Sequence, residues 1–254
     1  MNHPLHPLHP CANGADTMPP APGQSLRLRL MQRVRQSLAH ESQFHTVRRD
    51  TGDWPVLHAG AHSKALAHTP VATSQLIKLA AGTALQHQPG NALQELVLLA
   101  GELTMGALPL QVGDAACTPH DAAHALRAGP GGAQFYLRLS SPPSEFVTPQ
   151  RFSTFDDDAN WQDFCPGVRI RELWNGGERR SVLVRMSAGA QVNSHSHGLE
   201  EECLTLAGEA FIGDTLLRSG EYQLAPQGSR HGAVQTDVGA LLYVHGSLDP
   251  AAYT

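Results

Sequence analysis

GAQVNSHSHGLEEECLTLAG, residues 189–208, decides how the rest of the chain is read. Within it Gly189, His195, His197, Glu201 and Gly208 are separated by five, one, three and six residues. A second run, GEYQLAPQGSRH at 220–231, adds Gly220, Pro226, Gly228 and His231. In an extended strand, residues two apart share a face, so His195 and His197 direct their rings to one side together. Glu201 has the same parity and joins them if the Gly198-Leu199 corner keeps the strand on course. His231 arrives from a neighbouring strand, after a turn that Gly220, Pro226 and Gly228 punctuate. Three imidazoles and one carboxylate on one wall suit a divalent transition metal that keeps one or two positions for water or a small molecule. In a chain with fifteen histidines a single one carries little weight; four ligand positions on two spaced runs carry the reading.

The two runs resemble the paired motifs of the cupin superfamily, small antiparallel β-barrels that hold a metal through three His and one Glu. Each metal-binding position of the first motif has its match. The second matches from Gly220 to His231, with Gln235 where the family's terminal Asn stands, a position that does not ligate. Leu206-Ala207-Gly208-Glu209 and Ala225-Pro226-Gln227-Gly228-Ser229-Arg230-His231 are similar to the cupin-like domain of ChrR-type anti-sigma factors. The resemblance implies His195, His197, Glu201 and His231 as metal ligands. It points to zinc first and iron second, with manganese or nickel open, since such a donor set accepts all of them.

Composition sets the frame. Hydrophobic residues make up 41% and charged residues 16%, enough for a packed core, and 24 Gly with 18 Pro predict many turns. Eighteen basic against 23 acidic residues give no support for nonspecific nucleic-acid binding. Cys11, Cys117, Cys165 and Cys203 show no pairing rhythm, which argues against a disulfide framework or a Cys-rich zinc module. No apolar run reaches membrane-spanning length and the first residues lack a signal-peptide core, so a cytoplasmic protein without membrane contact is expected.

Residues 1–24, with the repeat His3-Pro4-Leu5-His6-Pro7-Leu8-His9-Pro10, are expected to be disordered, because proline at this density blocks helix and ladder hydrogen bonds. Residues 25–41 read as a helix capped by Ser25, with Leu30, Met31, Val34 and Leu38 on one face and arginines around the rest. That face is expected to pack on the first barrel or on a partner. Beyond it lies an internal repeat. A shift of 107 residues aligns Trp54 with Trp161, Gly82 with Gly189, Glu95 with Glu202, Gly101 with Gly208, Pro119 with Pro226, His124 with His231 and Tyr136 with Tyr243. Short strands follow in each half: Gln75 to Leu79, Glu95 to Leu99 and Phe135 to Leu139, then Ser181 to Met186, Cys203 to Leu206 and Ala240 to Val244. The fold class is therefore all-β, two tandem cupin barrels over 42–145 and 146–250, joined near Ser141-Pro142-Pro143-Ser144.

Moved back by the same shift, the ligands mostly fail: His195 falls on Gln88, His197 on Gly90 and Glu201 on Gln94, while His231 keeps His124. Neutral amides are poor ligands for a transition metal, so the first barrel is expected to be metal-free. His87 and His120 have the wrong parity to rebuild a site. In the second barrel Cys203 shares the parity of Glu201, either as a buried core residue or as a further ligand or redox-sensitive thiol. Tyr222, Tyr243 and Arg185 are candidates for lining the cavity, and Arg230 for the surface.

Function divides into three readings. ChrR-type proteins pair an anti-sigma zinc domain with a regulatory cupin, which implies a sensor with a sigma factor or another regulator as partner. The family's zinc motif, a His followed by Cys-x-x-Cys, is absent here, which argues against sigma-factor inhibition through that domain. Other cupins are dioxygenases of small diketones or hydroxyketones, or isomerases. A small-ligand or metal-binding protein whose metal only stabilises the barrel is the third. Barrel edges and the helix also suit a homodimer.

Overall fold

The computed structural model describes residues 26–85, 93–119, 125–141, 150–153 and 160–247. The N-terminal tail, the Pro142-Pro143 linker, and His87, Gln88, Gly90, His120 and His124 lie outside them. The chain divides into two units, residues 1–40 and 41–254. The first contains the expected helix, Leu26–Glu41, whose Leu30, Met31, Val34 and Leu38 are each about half exposed. None of the described helices is long and apolar enough to cross a membrane.

The second unit consists of two antiparallel barrels. In the first, the strand order is Val56–His58, Ala61–His68, Ala72–Leu79, Leu126–Ser140, Leu93–Met105, Asp114–Pro119 and Gln150–Ser153. In the second it is His45–Val47, Tyr222–Ala225, Glu201–Ile212, Ala240–Gly246, Arg180–Met186, Val168–Asn175 and Gln162–Cys165. All six strands expected from the sequence are present and run longer than the pattern suggested. The repeat holds down to irregularities: the bulge at Leu98/Ala100 recurs at Thr205/Ala207, and that at Ala65/Ala67 recurs at Glu172/Trp174. Gly101 and Gly208 recur for a steric reason. Both have positive φ, and a Cβ there would stand 2.1 and 2.0 Å from the carbonyl oxygens of Gly132 and Gly239.

The barrels exchange edge strands. His45–Val47, at the start of the span expected for the first barrel, instead pairs with Tyr222–Ala225 of the second. Gln150–Ser153, just past the linker, pairs with Asp114–Pro119 of the first. Each exchange closes a sheet edge that would otherwise expose unpaired backbone groups. The faces between the barrels form a shared core that holds both members of several repeat pairs, Leu66 and Leu173, Leu76 and Leu183, Val97 and Leu204, and Tyr136 and Tyr243, the last in ring contact.

A polar network crosses that core. Arg138 donates from Nε to Glu202 Oε1 at 2.9 Å and from Nη1 to Glu95 Oε1 at 3.1 Å, all three side chains being 2% exposed. Tyr136 and Tyr222 donate to Glu202 Oε2 at 3.1 and 2.9 Å, as does Ser74, and Tyr243 donates to Glu95 Oε2 at 3.0 Å. The shift of 107 maps Glu95 on Glu202, Tyr136 on Tyr243, Ser74 on Ser181, Arg138 on His245 and Ala115 on Tyr222, so the network is a two-fold arrangement broken at the last two pairs. Tyr222 and Tyr243 thus face the other barrel and not the cavity, correcting the sequence expectation. Arg185 lies over the Trp161 ring, 4.2 Å from its centroid.

Candidate metal centre

His195 and His231 are cross-strand partners in a two-stranded ladder, His195–Ser196 against Arg230–His231. The ladder continues through His197, whose amide donates to the Ser229 carbonyl at 2.9 Å and whose carbonyl accepts from Gly228 at 2.8 Å. Glu201 opens the long strand Glu201–Ile212 of the main sheet. His195, His197 and Glu201 lie on one strand only if the Gly198-Leu199 corner keeps it on course. The strand instead breaks between His197 and Glu201, and the corner returns the carboxylate to the same pocket. The four side chains are buried, and their ligand atoms all lie within 4.8 Å of one another. No other such group occurs among the described residues. The ring centroids of His195, His197 and His231 are 4.3 to 5.2 Å apart.

Each imidazole is held by its Nδ1. His195 Nδ1 lies 2.9 Å from the Asn193 carbonyl and His231 Nδ1 lies 2.8 Å from that of Gly232. Carbonyls only accept, so both Nδ1 atoms carry the proton. His197 Nδ1 is 3.1 Å from Ser229 Oγ, whose own proton goes to the Pro226 carbonyl at 2.5 Å. That leaves the Ser229 oxygen to accept, which fixes the same tautomer in His197. Ser229 is placed by the turn from Pro226 to Ser229, in which Gly228 at φ +79 supplies the left-handed third position of a type II turn. The sequence quoted Ser229 within the second run without giving it a role.

With the Nδ1 atoms protonated, each Nε2 carries a lone pair. The Nε2 atoms of His197 and His231 lie 3.5 and 3.7 Å from Glu201 Oε1. Two acceptors facing each other without a proton repel, and a cation between them removes the repulsion. Ligand atoms about 2.1 Å from a metal stand about 3.0 to 3.4 Å from their neighbours, close to the spacing found here. The protonation states agree. Burial lowers the pKa of His195, and of His197 to about 4, so both are neutral at pH 7. The donor set fits a divalent ion.

The Glu201 side chain packs against Gly246, where an added Cβ would lie 3.1 Å from Glu201 Cγ. Cys203 points into the barrel as parity predicted, and burial raises its thiol pKa. Arg230 is exposed and donates to Ser194 Oγ at 3.1 Å. In the first barrel Gln94, the counterpart of Glu201, is buried, with its amide 3.4 Å from Thr118 Oγ1. A cavity of about 60 Å³ adjoins His195, Glu201 and His231 inside the second barrel.

Residues 149–249 match the family described as the ChrR cupin-like domain. No curated protein matches the chain. Among solved structures, a protein of Pseudomonas aeruginosa described as glyoxylate-induced superposes with a TM-score of 0.63 at 12% identity, covering 80% of this chain and 84% of that one. A protein of Nostoc punctiforme described as a dioxygenase gives 0.60 at 14% identity, covering 81% and 84%. An oxalate decarboxylase variant of Bacillus subtilis gives 0.57 at 13% identity, covering 80% and 77%. At these identities the likeness establishes the fold alone.

Proposed function

We propose that this chain, a tandem-barrel protein of the cupin superfamily, is a regulatory metalloprotein whose second barrel holds one divalent ion through His195, His197, Glu201 and His231. The observation that carries the reading is the locked tautomer of all three imidazoles, which leaves each Nε2 free to ligate within the cluster that Glu201 completes. A divalent ion held there supplies a Lewis-acidic attachment point for a small ligand. Asn193, Ser229 and Gly232 keep the Nδ1 protons, and the barrel wall excludes water. We take zinc as the first choice of metal and iron as the second. The regulatory part rests on the ChrR cupin-like match and looks to a sigma factor or another regulator as partner. Cytoplasmic placement draws support from the free thiols Cys117, Cys165 and Cys203.

The test begins with metal content. Purified chain should hold one zinc or iron, and the His195→Ala/His197→Ala double variant none while remaining folded by circular dichroism. Unchanged metal in the double variant would end the proposal. Recovery of a sigma factor by the metal-loaded chain, and not by the double variant, supports the regulatory role. A second reading, a metal-dependent dioxygenase of small diketones, needs an open side of the ligand set, and a cavity adjoins the ligands. Oxygen uptake with a 1,3-diketone by iron-loaded protein would establish it over the first.

A further inference from the structure

The cavity beside the ligand set has an apolar wall, and the first barrel shows how it was opened. Its lining includes Val184, Val192, Cys203, Leu242 and Val244. One repeat earlier, the core of the first barrel carries Ile77, Leu85, Leu96, Phe135 and Leu137 at the matching positions. The first barrel has the larger side chain at all five. Two lining positions run the other way, Ile170 against Ser63 and Phe164 against Leu57. Side chains are close-packed in protein interiors, so trimming five positions around one axis leaves space that the rest of the wall does not refill.

Apart from His195, Glu201, His231 and the Cys203 thiol, every lining residue is apolar. A ligand's polar end can therefore be satisfied only at the ligand-set end of the cavity. A second polar group placed along the wall would lose its water and gain no partner. At 10 to 15 Å³ for each water-sized group, about 60 Å³ holds about four to six of them.

We infer that the second barrel binds a small ligand of at most about five heavy atoms, with a single polar end at the His–Glu cluster and an apolar remainder against Val184, Leu242 and Val244. This inference rests on the proposed metal centre for the ligand's polar end. It excludes diacids and disfavours diketones, which are larger and carry two polar groups.

The test uses zinc-loaded full-length chain with labelled Ile, Leu and Val methyl groups, titrated with 1-propanol, 1,2-ethanediol and 1-hexanol. The first two have equal numbers of heavy atoms and differ in the second hydroxyl. Saturable shifts at the Ile212, Leu242 and Val244 methyls are expected with 1-propanol, at least tenfold weaker binding with the diol, and none with 1-hexanol. Equal binding of the diol, binding of 1-hexanol, or no response to 1-propanol overturns the inference. Leu242→Phe restores the first-barrel residue and should abolish the 1-propanol shifts at Ile212 and Val244 with zinc content unchanged. If that variant does not fold, Val184→Ile should weaken them several-fold; undiminished shifts in a folded variant also count against the cavity. Zinc content is measured on the same samples. A chain without zinc ends the metal reading, and the same titration on that metal-free chain still decides for or against the apolar cavity.

Discussion

Glu95 and Glu202, one repeat apart in sequence, meet in space on the two sides of a single guanidinium, that of Arg138. Two buried carboxylates share one buried cation, with tyrosine and serine hydroxyls supplying further donors. Such a cluster need not stabilise more than an apolar core would. Breaking it is costly, because charges are left without a partner in the interior. Arg138→Met should therefore destabilise the chain by about 3 to 5 kcal/mol. The check is urea denaturation followed by tryptophan fluorescence. A loss under about 1 kcal/mol would mean that the carboxylates are relieved in some other way.

The repeat that makes this pair symmetric was legible in the sequence, since glycines at required positive-φ positions, such as Gly101 and Gly208, hold the register without a gap. The four ligands were legible because their spacing combines a chemical type with a geometric one. Other features depend on long-range geometry that a shift of 107 does not encode. The strands His45–Val47 and Gln150–Ser153 are repeat partners in sequence, but pattern alone does not tell which barrel each completes. Tyr222 and Tyr243 are cavity candidates by sequence and face the other barrel in the structure, because bulges such as Thr205/Ala207 reset parity along a strand. The partners Arg138 and His245 escaped notice for a different reason: the repeat places an imidazole where the first barrel has a guanidinium, and self-comparison rewards identity.

Ser229 sets the tautomer of His197 through a hydroxyl whose own proton is committed to Pro226. Removing that hydroxyl leaves Nδ1 without its acceptor and frees the ring to turn. Ser229→Ala should keep the fold and lower zinc affinity about 10- to 100-fold, the usual effect of losing a group that orients a ligand. Competition with a chromophoric chelator measures it. An affinity within twofold of the wild type would show that Ser229 does not orient the ring.

His245 is 1% exposed, with Nδ1 2.7 Å from Ser181 Oγ and 3.6 Å from Glu95 Oε1, and its ring stacks on Trp174. Burial, with Arg138 and Arg179 nearby, pushes its pKa well below the ordinary 6.5. The unfolded chain takes up a proton below about pH 6.5 that the native imidazole refuses, so stability is full above that pH and falls as pH drops toward the native pKa. One such group contributes a slope of at most about 1.4 kcal/mol per pH unit. His245→Gln removes it, and the variant's unfolding free energy should lose less than the wild type's between pH 6.5 and 5.5. Parallel curves for the two proteins over that range would refute the assignment.

Gly246 follows His245 on the strand Ala240–Gly246, and its missing side chain is what lets Glu201 reach the centre. A Cβ at this position would lie 3.1, 3.2 and 3.3 Å from Glu201 Cγ, Cβ and Cα, so the clash runs along the whole base of that side chain. Two effects oppose each other in Gly246→Ala. Replacing glycine within a strand gains about 0.5 to 1 kcal/mol of backbone entropy. Overpacking a tight interior costs about 1 to 3 kcal/mol, so a small net destabilisation is expected. The larger effect should fall on the metal, since the carboxylate must move by a few tenths of an ångström at its root and further at its tip. Zinc affinity should fall on the order of tenfold, in the range for disturbed ligand orientation. Gly198→Ala is the control: it too neighbours the ligands, but its added Cβ would meet only Ser247 Oγ at an ordinary 3.4 Å. Equal losses in the two variants would mean that glycine itself, and not the contact with Glu201, is what the centre requires.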